Sequence, residues 1–279
     1  MNLEGKVVII TGATGAIGQA AARAFDREGA RLVLASRRIE VLHELAGGLK
    51  EAFVLPVDMG DEGQARDLVR KAVEKFGRVD ILIHNAAAII IDRSESVTRD
   101  DLMQAFRVNL TGPVAATQEA LLQMKKQGGG QIINIGSPGF MMGIPFYAPY
   151  ACSKAAFSAW TRTLQAELGD ARISVSEYFP GYIKTDSRAE SRLGTVEQDF
   201  LMAQKQNFLS KWFTAPKTPE KVAKDLVRLA GKPRPLAYSG SLVKLGAFLS
   251  NIPFFRLKIA RQMARNAELK LQNQPPGSL

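Results

Sequence analysis

The chain has 279 residues, 46% of them hydrophobic and 23% charged, enough to bury one substantial core and ordinary for a globular domain. One cysteine, Cys152, excludes an internal disulfide framework and reads as a packed, inert thiol; two histidines, His43 and His84, with no Cys/His cluster, give no metal site. The net charge of +10 is uneven: residues 1–204 hold 23 Lys and Arg against 24 Asp and Glu, whereas residues 205–279 hold 14 against 3.

In chain order, short apolar runs alternate with helix-length segments through the first two thirds of the sequence. Lys6–Ile10, Arg31–Ala35, Ala52–Pro56, Asp80–His84, Gln131–Ile135 and Ile173–Tyr178 are predicted strands. Ala16–Glu28, Ile39–Leu49, Glu62–Phe76, Arg99–Leu110, Pro113–Lys126 and Ala151–Leu168 are predicted helices. The strand runs are continuous rather than alternating in polarity, as expected of strands covered by helices on both faces. This succession predicts an α/β fold, a doubly wound parallel sheet, with residues 1–240 as one dinucleotide-binding domain. Met1 leads directly into the first strand without the pattern of a signal peptide. No apolar run approaches the roughly eighteen residues of a membrane span, so the expectation is a cytoplasmic protein.

The segment Thr11-Gly12-Ala13-Thr14-Gly15-Ala16-Ile17-Gly18 closes the first strand and opens the first helix. In that context glycines let the backbone turn tightly and approach a pyrophosphate, whose charge meets free N–H groups at the helix start. Gly12, Thr14, Gly15, Ile17 and Gly18 are therefore the candidate phosphate contacts. At the end of the second strand, NAD-binding folds usually carry an acid for the adenosine ribose. Here the sequence is Ala35-Ser36-Arg37-Arg38. A guanidinium can grip a 2′-phosphate that a carboxylate would repel. The expectation is NADP(H) rather than NAD(H), with Arg37 as main contact and Ser36 or Arg38 assisting.

Tyr150 and Lys154 are four residues apart on one predicted helix and so share a face. A free phenol, with a pKa of about 10, is a poor acid or base near neutrality; an adjacent cation would bring it down. Ser137 lies thirteen residues upstream of Tyr150, after the fifth strand. Taken singly, these could be a turn serine and a solvated lysine. Their joint spacing after a dinucleotide turn points to proton transfer facing a nicotinamide.

With these residues in place, the chain resembles the short-chain dehydrogenase/reductase family over nearly its first 240 residues. Gly12, Gly15 and Gly18 sit in the nucleotide turn, with Ala16 where the commoner spacing has glycine. Asp58, followed by Met59, stands where the family places an acid near the adenine. His84-Asn85-Ala86-Ala87 is similar to Asn-Asn-Ala-Gly, of which Asn85 and Ala86 carry over. Asn109, Ser137, Tyr150 and Lys154 match the catalytic set. Pro180-Gly181, with Ile183 and Thr185, matches the segment that holds the nicotinamide carboxamide. The resemblance implies that Tyr150 exchanges a proton with the substrate oxygen while Ser137 donates a hydrogen bond to it. Lys154 would bond the nicotinamide ribose and depress the Tyr150 pKa, and Asn109 would position a relay water. It also implies homodimers or homotetramers through residues 113–126 and 151–168.

The loop Pro138-Gly139-Phe140-Met141-Met142-Gly143-Ile144-Pro145-Phe146-Tyr147 leads into Tyr150 and is almost wholly apolar, which favours a small hydrophobic carbonyl or alcohol over a sugar. A mobile lid is expected over about 186–212. Beyond residue 240 the chain continues as a basic amphipathic extension, with Arg256–Arg265 as a helix carrying Lys and Arg opposite Leu, Ile and Met. Such a helix fits peripheral contact with the inner membrane surface, or packing over the substrate mouth or another subunit. Two other functions fit the sequence less well. A nucleotide-sugar epimerase or dehydratase would need a larger substrate domain. A cofactor-sensing regulator or nucleic-acid binder would not need the Ser-Tyr-Lys set, and no aromatic-basic motif accompanies the charge, so no nucleic-acid partner is expected.

Overall fold

In the computed structural model, residues 3–169, 172–181, 183, 192–193, 217–249, 252, 254, 257, 261 and 265 are described. Thr185, the expected lid apart from 192 and 193, and most of the expected helix over 256–265 lie outside them.

The first half alternates as foreseen: β1 (Val7–Thr11), α1 (Ala16–Arg27), β2 (Arg31–Ser36), α2 (Ile39–Ala46), β3 (Ala52–Pro56), α3 (Glu62–Phe76) and β4 (Ile81–His84). A two-residue strand β5 (Ile90–Ile91) precedes α4 (Arg99–Phe106), a π-helical turn (Arg107–Thr111) and α5 (Gly112–Lys126). Then come β6 (Gly130–Ile135), α6 (Gly139–Met142), α7 (Ala148–Leu168), β7 (Ile173–Phe179), β8 (Arg192–Leu193), α8 (Pro219–Gly231), β9 (Leu236–Tyr238) and α9 (Ser241–Leu249).

Seven strands form one parallel sheet in the order β3-β2-β1-β4-β6-β7-β9, and β5 pairs with β8 in a separate ribbon. Both faces of the sheet are covered, which is why its strands read as unbroken apolar runs. Val8 and Ile10 pack with Phe25 of α1 and Leu226 of α8, while Val7 and Ile9 pack with Leu68 of α3 and Ala116 of α5. All four strand residues are fully buried.

At the edge of the sheet away from the strands' carboxyl ends, Asp80 pins β1 to β4. It accepts from the Val7 N–H at 3.0 Å, from Lys6 Nζ at 3.1 Å and from Arg78 Nε at 2.8 Å. Burial alone would raise its pKa; Arg78, the Val7 N–H and Lys6 outweigh that and hold it below the usual carboxylate value.

The helix expected as one piece over Arg99–Leu110 is instead α4 followed by the π turn. A Cβ on Gly112 would run into the Met59 carbonyl, so α5 starts where only glycine allows this approach. The extra residue in the π turn offsets the helix without breaking it.

Candidate active site

The strand order reverses between β1 and β4, and in open parallel sheets the crevice outside the carboxyl ends of the strands at such a point is where ligands bind. The glycine turn forms one wall. Gly12 has φ +63, and a Cβ there would lie 2.8 Å from the Ala86 Cα. A Cβ on Gly18 would meet the Gly12 carbonyl and lie 2.7 Å from the Ala13 Cα. Gly15 differs: its Cβ would meet only the Gly12 oxygen, at 3.4 Å, so space remains in front of it. Side chains of Asp61, Thr98 and Thr218 cap α3, α4 and α8, whereas α1, like α2, α5 and α7, has no side-chain cap among the described residues. Open space at Gly15 and uncapped N–H groups at a long helix start suit the pyrophosphate of a dinucleotide.

Asn85 and Ala86 hold this turn from behind. Asn85 Nδ2 donates to the carbonyls of Thr11 at 3.0 Å and Gly12 at 2.9 Å. Thr11 Oγ1 accepts from the N–H groups of Asn85 and Ala86, at 3.0 and 3.1 Å, and donates to the Ile83 carbonyl at 3.2 Å. At the end of β2, Thr14 and Ser36 share a hydroxyl hydrogen bond of 2.6 Å. Arg38 NH2 donates to Thr14 Oγ1 at 2.9 Å and to the Thr14 carbonyl at 3.1 Å, tying the two loops together. The Arg37 side chain is exposed. Asp58 accepts from the Gly60 N–H at 2.8 Å, and the next residue, Met59, is buried.

The other wall carries Ser137, at the end of β6, and Tyr150 and Lys154 on α7. Lys154 is buried and donates from Nζ to the Ile135 carbonyl at 2.9 Å. Burial pulls its pKa down to about 8, and the charge of Glu177 opposes the fall. The Tyr150 phenol moves the other way: burial pushes it above its ordinary value, and only a hydrogen bond with Ser137 opposes this. The expected depression of Tyr150 by Lys154 is thus corrected, because desolvation of the phenol dominates and the ammonium is engaged on the Ile135 carbonyl.

Asn109 lies buried within the π turn. Its Oδ1 accepts from the Ala88 N–H at 2.7 Å, and Nδ2 donates to the Ala88 carbonyl and to Ser153 Oγ, both at 2.9 Å. Ser153 Oγ in turn donates to the Tyr150 carbonyl at 2.9 Å. The side chain therefore locks α7 to the segment leaving β4.

Two buried ionisable groups here had no role in the sequence reading. His84 pairs through Nε2 with Thr117 Oγ1 at 2.8 Å; burial first, then the Lys154 charge, takes its pKa to about 3. Glu177 is buried on β7 and pushed above its ordinary value by burial. A carboxylate inside the apolar run Ile173–Tyr178 was the available signal. Cys152, expected to be packed, is exposed. Two positions beyond Tyr150 on a helix, it falls on the opposite face.

The apolar loop flanks the site, though some of it packs internally. Phe140 lies 6.3 Å from the ring of Phe179, and Tyr147 stands edge-on to Tyr150 at 6.3 Å. Phe146 adopts φ +68, strained for a side-chain-bearing residue, with its carbonyl accepting from the Asp92 N–H at 3.0 Å. Gly181 follows Pro180 with φ +75, and a Cβ there would lie 2.8 Å from Val243 Cγ2. Val243 and Ala247 of α9 are buried, so the C-terminal extension begins as part of this wall. Ile183 bridges to Lys217.

Comparison with known proteins places the chain by family and fold. Residues 6–195 match the family model described as short chain dehydrogenase. An uncharacterized oxidoreductase of Thermotoga maritima is 36% identical over 194 residues, covering 67% of this chain and 75% of that protein. An alcohol dehydrogenase from Thermococcus sibiricus, solved with 5-hydroxy-NADP, is 26% identical with a TM-score of 0.69, over 84% of this chain and 94% of that one. A 3-ketoacyl-(acyl-carrier-protein) reductase from Brucella melitensis, solved with NADH, is 25% identical with a TM-score of 0.75, over 87% of this chain and 100% of that one.

Proposed function

The chain belongs to the short-chain dehydrogenase family of oxidoreductases, and from that premise we propose that it interconverts a carbonyl and an alcohol on a small hydrophobic substrate with NADP(H). The observation that carries the reading is the convergence of Ser137, Tyr150, Lys154 and Asn109 beside an uncapped glycine turn. The nicotinamide, when bound, supplies the hydride in reduction and accepts it in oxidation. Tyr150 gives the proton to the carbonyl oxygen, or takes it from the alcohol. Its raised pKa suits the neutral phenol of the reductive direction. Ser137 donates a hydrogen bond to the same oxygen and orients it. Lys154 sits one turn beyond Tyr150, where its ammonium serves the nicotinamide ribose. Asn109 has its side chain fully committed, so its carbonyl is the group for a relay water. Pro113, four residues on, has no N–H to give that carbonyl.

NADP(H) is favoured over NAD(H) by the absence of an acid after β2 and by exposed Arg37, beside Arg38 and Ser36 already gathered on Thr14. The half-buried side chains of Phe140, Met141, Ile144, Phe146 and Tyr147 favour an apolar substrate. Self-association is assigned to α5 and α7, the former exposing Leu122. Exposed Leu245, Phe248, Phe254 and Leu257, in a quarter of the chain rich in Lys and Arg, support contact with an anionic membrane surface from the cytoplasmic side.

Nicotinamide absorbance with a panel of carbonyls and alcohols tests the reading. NADPH is expected to be oxidised by apolar ketones or aldehydes with a lower KM than NADH. No turnover on any member, or a clear preference for NADH, overturns the corresponding part. For the membrane surface, vesicles containing phosphatidylglycerol should sediment the intact protein and not a Phe248→Ser/Phe254→Ser variant.

A further inference from the structure

Tyr150, Lys154, Ser158 and Arg162 follow one another at intervals of four along α7 and share a face. Ser158 is buried, and Arg162 NH2 donates to its Oγ at 2.9 Å. Opposite this face stands Glu177, 4% exposed, paired in register with Asn134. Its carboxylate lies over Gly136: a Cβ on that glycine would be 3.1 Å from Oε1. The carbonyl of the same Ile135–Gly136 peptide holds the Lys154 ammonium at 2.9 Å. A buried amine and a buried carboxyl group therefore flank one peptide link behind the tyrosine. Either charge alone would be strongly unfavourable away from water.

We propose that Glu177 is a positioning residue for the reaction: a buried counter-ion that favours the charged Lys154 ammonium from behind, with the Ser158 hydroxyl and the Arg162 guanidinium favouring its own carboxylate form. The inference rests on the reading of Lys154 as the cation that serves the nicotinamide ribose beside Tyr150. Burial works against charge on both partners, and their mutual attraction opposes it. The other groups facing the pair are His84 of β4, kept neutral by burial, Tyr150 itself, and Tyr238 of β9, whose phenol is raised by burial and then by Glu177. The carboxylate thus supplies the countercharge, and the position of Lys154 on the pH scale depends on it.

Glu177→Gln removes the anion and keeps the shape. Without it the neutral amine is favoured, so the alkaline limb of kcat/KM in the reductive direction should move down by about one pH unit, with the acid limb unchanged. Glu177→Asp should restore much of the limb. A limb that does not move, or one identical in the Gln and Asp variants, overturns the proposal. A second readout needs no turnover. In protein labelled with carbon-13 lysine, the Lys154 ε-carbon resonance, assigned by its loss in Lys154→Met, should titrate about one unit lower in Glu177→Gln. A normal titration shift in a protein without dehydrogenase activity would sink the functional reading and spare this one. If Glu177→Gln does not fold, Ser158→Ala should lower the same midpoint by a smaller amount, and an unchanged midpoint overturns the inference.

Discussion

On the β1 side of the crevice, the groups offered to a ligand are backbone N–H groups at an uncapped helix start, cleared by Gly15. On the β6 side they are side chains of Ser137, Tyr150 and Lys154, and burial moves both Tyr150 and Lys154 off their ordinary pKa values. The first wall depends on the absence of a side chain and carries no proton that titrates. The second depends on particular atoms and on where their protons sit. Binding and chemistry should therefore separate by mutation.

Tyr150→Phe should break the chemistry alone. The ring and its edge contact with Tyr147 remain, and only the hydroxyl is lost. Turnover is expected to fall by about 10³-fold or more, the range of a lost general acid. The dissociation constant for NADPH, read by dinucleotide fluorescence, should stay within about threefold. Retained turnover would remove Tyr150 from its role.

Gly15→Ala is the converse test. The added methyl meets only the Gly12 oxygen at 3.4 Å, at an ordinary negative φ of −74, so unfolding free energy should change by less than about 1 kcal/mol. The methyl fills the space left for the pyrophosphate, and affinity for NADPH should drop about tenfold, equivalent to about 1.4 kcal/mol. Gly12→Ala is the control in which fold and binding fail together, since its methyl would meet the Ala86 backbone. Equal loss of stability in both variants would show that Gly15 serves the turn alone.

The nucleotide wall was the more legible of the two. Its parts are consecutive, and Gly12, Gly15 and Gly18 announce a backbone event within eight residues. The reaction wall is assembled across distance. Glu177 meets Ser158 and Lys154 only because β7 lies against β6 and α7 packs over both, and the Ile135 carbonyl that takes Lys154 leaves no mark in sequence. Boundaries failed for local reasons. The helix expected over Ala151–Leu168 starts three residues earlier, at Ala148, and Pro149 sits in its first turn, where its missing N–H does no harm. The π turn keeps an apparently helical periodicity, and what sets it apart is the contact of Gly112 with Met59, which sequence does not show. β9 spans three residues, too few for a period. α8 did carry a start signal, Thr218-Pro219-Glu220, in a stretch assigned no helix.

His84 offers the smallest effect and the finest contrast, because it is a titrating group on the catalytic side that has no part in the proton transfer. In the folded chain burial holds it neutral, with its pKa at about 3, whereas an unfolded histidine titrates near 6.5. The unfolded state therefore binds the extra proton first as pH falls. The folded state is undisturbed above about pH 6.5 and loses stability steadily from there toward pH 3. Between about pH 7.5 and about pH 6 this one group should take roughly 0.8 kcal/mol from the unfolding free energy. His84→Asn retains a polar partner for Thr117 and removes the titration, so urea midpoints measured at the two pH values should converge in the variant. The same substitution takes no proton from Tyr150 or Lys154, and the alkaline limb of turnover should stay where it is. A stability profile as steep in the variant as in the parent would place the acid sensitivity on groups other than His84; Asp80, whose carboxylate is held below its usual value by Arg78, the Val7 N–H and Lys6 against the effect of burial, enters only at lower pH.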